Sequence, residues 1–401
     1  MPRLVLTRDS ITDNCFIIFM ILTFASFAFD ISGVFRVFLW VLIVFLNLRY
    51  CKINTPMDKL VMAYCIGAFL SLSGMLFRPY PLDFFAKVFV YSYIPIIFYF
   101  IGKNSFEDIQ TNFNNRSLFA IIFVYVVGFY FLITLPPWYV TKSLEIVNMH
   151  ASYNEETLTY ARFASFLDSY HVSNYGVFAI CFIFGILKTN HNRYIRFSAY
   201  ICLGITIVAV LLSRQRVAMF TGILIIFYYT LKSFKNKSAV IGLFALALIL
   251  FNFIPQLFDE TTSKLVFDRF TNEKSTSMVS ERTHQWFEAL FGIIEPIFGN
   301  GIGSGGHIAI SHGMHPSVAD GSYFKIWLEG GIYSTVLFFS IILKSFIKGW
   351  KNKEEYYVEL PMLGFCMCSM IGANIIDFPY IIAFMWYSIG RINRNNKKLN
   401  Y

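Results

Sequence analysis

Long apolar runs set the terms for this chain. Segments near 15–30, 32–48, 60–77, 85–102, 118–135, 174–189, 197–212, 217–231, 238–257, 323–343, 359–375 and 377–390 are predominantly apolar. A membrane-spanning helix needs about 20 such residues, within a range of roughly 17–25. In lipid every backbone N–H and C=O must find its partner inside the protein, which leaves helices and closed barrels. These runs are continuously apolar and do not alternate, so they read as helices. The pattern predicts an all-α polytopic membrane protein with about 12 transmembrane helices. The runs at 197–212, 217–231 and 377–390 are short, and the last two segments also fit a re-entrant pair. The first run has no small-residue cleavage site after it, so it reads as a retained helix rather than a signal peptide.

Charge gives the orientation. Only 14% of the 401 residues are charged and 56% are hydrophobic, against roughly 25% charged in a soluble domain. The net charge of +9 is spread between apolar runs rather than gathered in a patch, which argues against nucleic acid as a partner. With the N-terminus in the cytoplasm, the segments at 3–8, 49–59, 103–116, 188–196, 232–237, 344–353 and 391–398 all face inward. Each of them carries at least two basic residues, as the positive-inside rule requires. Both termini are then cytoplasmic. Two large loops, 136–173 and 258–321, face outward, and so does the turn Ser213-Arg214-Gln215-Arg216. No repeat or second domain is visible, so residues 1–401 read as one integral membrane domain. The seven cysteines avoid both loops and form no CxxC pair, so they read as core thiols.

The stretch Ser280–Gly331 is the most informative. Arg282, Trp286, Ala289 and Ile293 recur at the helical period, with Ser280 placed as an N-cap and Pro296 as the end of the pattern. The glycines of Phe298-Gly299-Asn300-Gly301-Ile302-Gly303 suit tight turns and close backbone approach to a ligand. His307, His312, His315 and Asp320 follow before the chain turns apolar at Tyr323.

This order resembles the outer loop of the O-antigen ligase and O-antigen polymerase family of bacterial membrane glycosyltransferases. The matching pieces are Arg282 with Trp286, Pro296-Ile297-Phe298-Gly299-Asn300-Gly301, and Asp320-Gly321-Ser322-Tyr323-Phe324 with Glu329 and Gly331. Leu211-Leu212-Ser213-Arg214 is an upstream match. The resemblance implies an O-antigen polymerase of the bacterial inner membrane. Such an enzyme joins oligosaccharide repeats carried on undecaprenyl diphosphate at the periplasmic face. Its partners would be that lipid-linked oligosaccharide, membrane lipid and a chain-length regulator, with no cofactor expected; His307, His312 and His315 read as loop histidines, with a general base or a metal site as the alternatives, although their spacing fits no zinc signature. The alternatives are a ligase that transfers glycan to lipid A–core and a transporter of lipid-linked oligosaccharide. In the ligases a histidine-asparagine pair stands where this chain has Asp320-Gly321, and that departure favours the polymerase.

The chemistry requires cations on a departing diphosphate and a base near the acceptor hydroxyl. Guanidinium groups match phosphate oxygens in a bidentate fork. Arg214, Arg282 and Arg216 are the candidate clamp, and Asp320 the candidate base, with His315 able to supply an imidazole in its place. Trp286, Gly301 and Tyr323 complete the expected substrate site. Each has a plainer reading. Arg214 and Arg216 suit headgroups at helix ends, and Arg282 suits an interfacial helix edge. Asp320 suits an N-cap, and Lys325 with Glu329 an ion pair within the membrane. Asp83, Asp168 and Asp377 also fall at outer helix ends, unranked. In the first loop Trp138, Tyr139, Tyr153, Tyr160, Arg162 and Tyr170 fit an aromatic belt or a sugar-stacking surface. The chain contains no Asp-x-Asp pair, which agrees with a lipid-diphosphate donor handled without metal.

Overall fold

The computed structural model describes residues 15–18, 33–104, 107–134, 136–141, 169–213, 215–233, 274–318 and 320–394. Among these residues the structure is all-helical, with no strand. Six helical segments are long and apolar enough to cross a membrane: Pro56–Leu76, Leu82–Asn104, Phe113–Thr134, Val172–Thr189, Arg193–Ser213 and Ser322–Lys351. The chain is a helical membrane protein. Val37–Tyr50, Arg216–Leu231 and Glu359–Gly372 are shorter apolar helices. The run at 238–257 and most of that at 15–30 lie outside the described residues, as do Tyr153, Tyr160, Arg162 and Asp168.

The residues form two compact units, the first drawn from 1–20, 33–114 and 280–401 and the second from 21–32 and 115–279. In chain order the α-helices are α1 (Gly33–Asn47), α2 (Pro56–Leu70), α3 (Leu82–Val88), α4 (Ile97–Asn104), α5 (Glu107–Thr134), α6 (Ser169–Thr189), α7 (Arg193–Ser213) and α8 (Arg216–Ser233). They continue as α9 (Lys274–Phe291), α10 (His307–Ser311), α11 (Ser322–Lys351), α12 (Glu359–Gly372) and α13 (Pro379–Ile392). In the second unit α6 is the buried element, packed against α7 and α8. Tyr125 of α5 donates its hydroxyl to Val172 O at 2.6 Å, and Phe184 stacks on Tyr229 at 4.5 Å.

The first unit is built around α13. All of its residues from Pro379 to Ile392 are buried, as expected of a helix that is apolar on every side. At 14 residues it is about 21 Å long, too short to cross a hydrocarbon core of about 30 Å. Two glycines let it lie directly against α4. A Cβ at Gly102 would stand 2.4 Å from Tyr387 O, and one at Gly390 would stand 2.1 Å from Tyr99 O. Small residues at such a seam allow the close backbone approach on which helix packing in lipid depends.

The end of the first unit that holds Tyr50 and Asp58 is rich in charge. Thr55 and Asp58 form a capping box at the start of α2. The same carboxylate accepts from Lys103 at 2.5 Å and from Tyr99 at 2.6 Å. Glu359 faces Arg391 at 3.5 Å, and Lys348 reaches Arg394 O at 3.4 Å.

At the other end the helices are irregular. Between α3 and α4 the chain passes through a π-helical turn, Phe89–Tyr93, and a 3₁₀ turn, Ile94–Ile96. Pro95 lies in the latter; it has no N–H to give and crowds the carbonyl four residues back, so the regular ladder stops there. Helix α11 is broken at Gly331, whose φ of 61° and ψ of −164° are not helical. The freed backbone groups pair with the loop that follows α9. Asn300 N donates to Leu328 O at 2.8 Å and Gly301 N to Glu329 O at 3.1 Å. In the other direction Ile332 N donates to Pro296 O at 2.9 Å and Tyr333 N to Ile297 O at 3.0 Å. Irregular backbone is tolerated at membrane depth when protein satisfies it, and here each side satisfies the other.

Candidate functional site

The site is assembled from the loop after α9, the start of α11 and the link between α12 and α13, all in the first unit. Helix α9 begins at Lys274, so Ser280 lies inside the helix and is not its N-cap. Phe291 ends it, before Pro296. Arg282 and Trp286, one turn apart, both reach Asp320. Arg282 Nε lies 2.8 Å from Asp320 Oδ2, with the side chains 47% and 29% exposed. Trp286 Nε1 donates to Asp320 O at 2.7 Å. The indole stacks on Phe324 with ring centres 5.0 Å apart. Behind them Ala289, Val318 and Leu328 form a small buried cluster. The apolar half of the α9 face thus seats the helix, and its polar edge holds Asp320.

Asp320 does not cap α11. The N-cap is Gly321, with φ 112°, and the cap has no side-chain hydrogen bond. The left-handed turn at Gly321 faces Trp286, whose Nε1 would stand 2.9 Å from a Cβ there. With its backbone carbonyl held by the indole, Asp320 directs its carboxylate to Arg282.

The glycine-rich loop is buried from Asn300 to Gly306. Its close approaches are to the protein's own backbone and side chains. A Cβ at Gly301, where φ is +98°, would stand 2.4 Å from Tyr80 Oη, and Tyr80 in turn donates to Ile302 O at 2.8 Å. Asn300 accepts from Ile294 N at 2.7 Å and donates to Gly292 O at 3.2 Å. Gly301 therefore serves as packing backbone. Tyr323 likewise turns away from the loop, donating to Met367 O at 3.0 Å and stacking on Phe339 at 4.9 Å.

Under this loop lies a buried ion cluster. Lys325 pairs with Asp377 and stands 3.7 Å from Glu329 Oε2. Glu329 Oε1 accepts from Gly303 N and Gly305 N, each at 3.1 Å. The i, i+4 pair expected within one helix is thus a triad that joins α11 to the α12–α13 link. Asn374 Nδ2→Val318 O at 2.6 Å and Ser322 Oγ→Ala373 O at 2.8 Å strengthen that join.

Arg78 stands at the same end. It donates to Pro316 O at 3.1 Å. Burial pulls its guanidinium below the ordinary value, with Tyr80 acting in the opposite direction. Among the described residues no carboxylate pairs with it. It follows the Pro56–Leu76 span, and the fold brings it to the segment that ends at Asp320.

His307, His312 and His315 are exposed, and the His312 ring sits 4.5 Å from that of Phe84. Among the described residues no three His, Cys, Asp or Glu side chains are grouped to hold a metal ion. Arg214 lies outside the described residues. Arg216 opens α8 in the second unit and is exposed. Trp138 and Tyr139, also in the second unit, pack against Phe131 at 4.9 and 5.8 Å. Asp83 makes a surface pair with Lys87 at 2.8 Å. In comparisons with known proteins, no family model and no curated protein matches the chain.

Proposed function

We propose that this chain is a metal-independent membrane glycosyltransferase of the O-antigen polymerase type, and that Arg282 and Asp320 form the exposed edge of its site. One observation carries the reading: the pieces of the Ser280–Gly331 stretch behind the resemblance meet in space within the first unit. Arg282 and Trp286 hold Asp320, and the Pro296–Gly301 piece pairs with the backbone on both sides of Gly331.

In this reading the growing glycan is carried on undecaprenyl diphosphate at the outer face. The bond between its anomeric carbon and the diphosphate oxygen breaks as the acceptor hydroxyl forms a new glycosidic bond. The diphosphate leaves with the bonding electrons, and the hydroxyl proton passes to a base. An arginine held, among the described residues, by one half-buried carboxylate can exchange it for diphosphate oxygens. As Arg282 turns to the leaving group, Asp320 is released to take the proton. Arg78 adds cationic charge; Arg214 is a candidate by resemblance alone. Trp286 keeps Asp320 in place during the exchange through its bond to the backbone. A chain-length regulator would act as partner.

The test is a gene deletion in a strain with an intact ligase. Loss of the chain should leave single repeats on lipid A–core, and the intact gene should restore the ladder. Core without repeats, together with accumulating lipid-linked polymer, would identify a ligase and bring His315 forward as the acceptor-side group. Accumulation of unextended lipid-linked repeat on the cytoplasmic side would identify a transporter.

A further inference from the structure

Three irregular stretches of the first unit converge: the π turn Phe89–Tyr93, the α11 break at Gly330-Gly331 and the 3₁₀ turn Ile375–Asp377. Where they meet there is a cavity of about 10 Å³, lined by Tyr64, Ser92, Tyr93, Glu329, Gly330 and Trp386, with Phe338 and isoleucines on the rest of the wall. That is room for about one water molecule. Two of the lining polar groups, the Ser92 hydroxyl and the Trp386 indole N–H, have no hydrogen-bond partner among the described residues. Ser92 is 8% exposed and Trp386 1%. Buried polar groups without partners are uncommon, and each calls for an explanation.

The chemistry of the lining selects the occupant. Indole N–H only donates, whereas a serine hydroxyl donates and accepts. A cation would meet the positive end of the indole N–H, and an anion would meet Glu329. An apolar occupant would leave both groups unbonded. A water accepts from the indole, bonds the hydroxyl and keeps a proton for a carbonyl or carboxylate on the remaining wall. We propose that one ordered water occupies this cavity, bonded to Trp386 Nε1 and Ser92 Oγ. It joins α13, the π turn and the broken α11, beside the residue that holds the Gly303 and Gly305 amides. The inference rests on packing alone and is independent of the reaction proposed above.

The test uses the full chain in lipid nanodiscs. A cryo-electron microscopy map that resolves ordered water should show a single peak within hydrogen-bond distance of both groups. The double variant Ser92→Ala/Trp386→Phe should lose it. A second readout is magnetisation transfer from water to ¹⁵N-labelled indole. The Trp386 signal, assigned by its loss in Trp386→Phe, should show the transfer, and Ser92→Ala should weaken it several-fold. An empty cavity overturns the proposal, as does a peak ringed by five or six oxygens in the manner of a cation. A Trp386 signal without transfer from water overturns it as well.

Discussion

Arg282 and Asp320 sit 2.8 Å apart, the first exposed and the second half-buried, and ion pairs open to solvent contribute about 0–1 kcal/mol to stability. Arg282→Ala is therefore expected to leave the protein folded, with a thermal midpoint close to the parent's, while abolishing the glycan ladder. Arg282→Lys should restore little, because a point charge does not reproduce the guanidinium fork. A normal ladder from Arg282→Ala would reduce this residue to an interfacial anchor. The buried triad behaves in the opposite way. Removing one member of a buried pair costs about 3–5 kcal/mol, because the remaining charge is stranded. Lys325→Met should lose most folded protein, as read by size-exclusion in detergent, and adding Glu329→Gln with Asp377→Asn should recover part of it. If Lys325→Met is as stable as the parent, the triad does not hold the loop. The Arg282–Trp286 face was legible in sequence because its contacts repeat at the helical period. The role of Asp377 was not, because its partner lies 52 residues away and only the tertiary fold joins them. Asp320 as an N-cap was a sound local expectation. The left-handed turn at Gly321 and the indole of Trp286 override it.

Among the elements, α11 carries the most information. Its hydropathy reads as one span, 323–343, within a helix of 30 residues, and hydropathy does not report a change of backbone direction. The signal for the break was Gly330-Gly331, and the signal for its partner was the alternating glycines after Phe298. Sequence reasoning gave those glycines tight turns and close approach to a ligand; only the fold shows which backbone comes near. A Cβ at Gly331 would stand 2.5 Å from Ile297 O and 2.6 Å from Gly299 N, in a conformation that costs a residue with a side chain about 1–3 kcal/mol before any clash. Gly331→Ala should lower the midpoint of thermal unfolding in detergent by more than that strain alone implies. Gly204, in α7, has nothing among the described residues within 4 Å of its Cβ position. Gly204→Ala should be neutral or raise stability by up to about 1 kcal/mol, the helical preference of alanine over glycine. Equal effects at the two sites would count against the pairing of α11 with the loop.

For the molecule as a whole, the first unit has two contrasting ends. Lys103, Lys348 and Arg391 mark one, and Arg78, Arg282 and Asp320 the other. With the basic end in the cytoplasm, a cysteine replacing the exposed His284 should react with an impermeant maleimide in intact spheroplasts. One replacing the exposed Lys353 should react only after lysis. The reverse pattern would move the site to the cytoplasm and remove the reading built on it. The pairing of the loop with α11 also orders the protein's manufacture. The Pro296–Ile297 and Asn300–Gly301 groups leave the ribosome before Leu328–Tyr333 exist, and Asp377 comes later still. Until α11 and the α12–α13 link are synthesised, that loop has no place in lipid and must wait in water. Its pairing with α11 is therefore a late step, and the Lys325–Asp377–Glu329 triad beneath it cannot form on a nascent chain that stops short of Asp377.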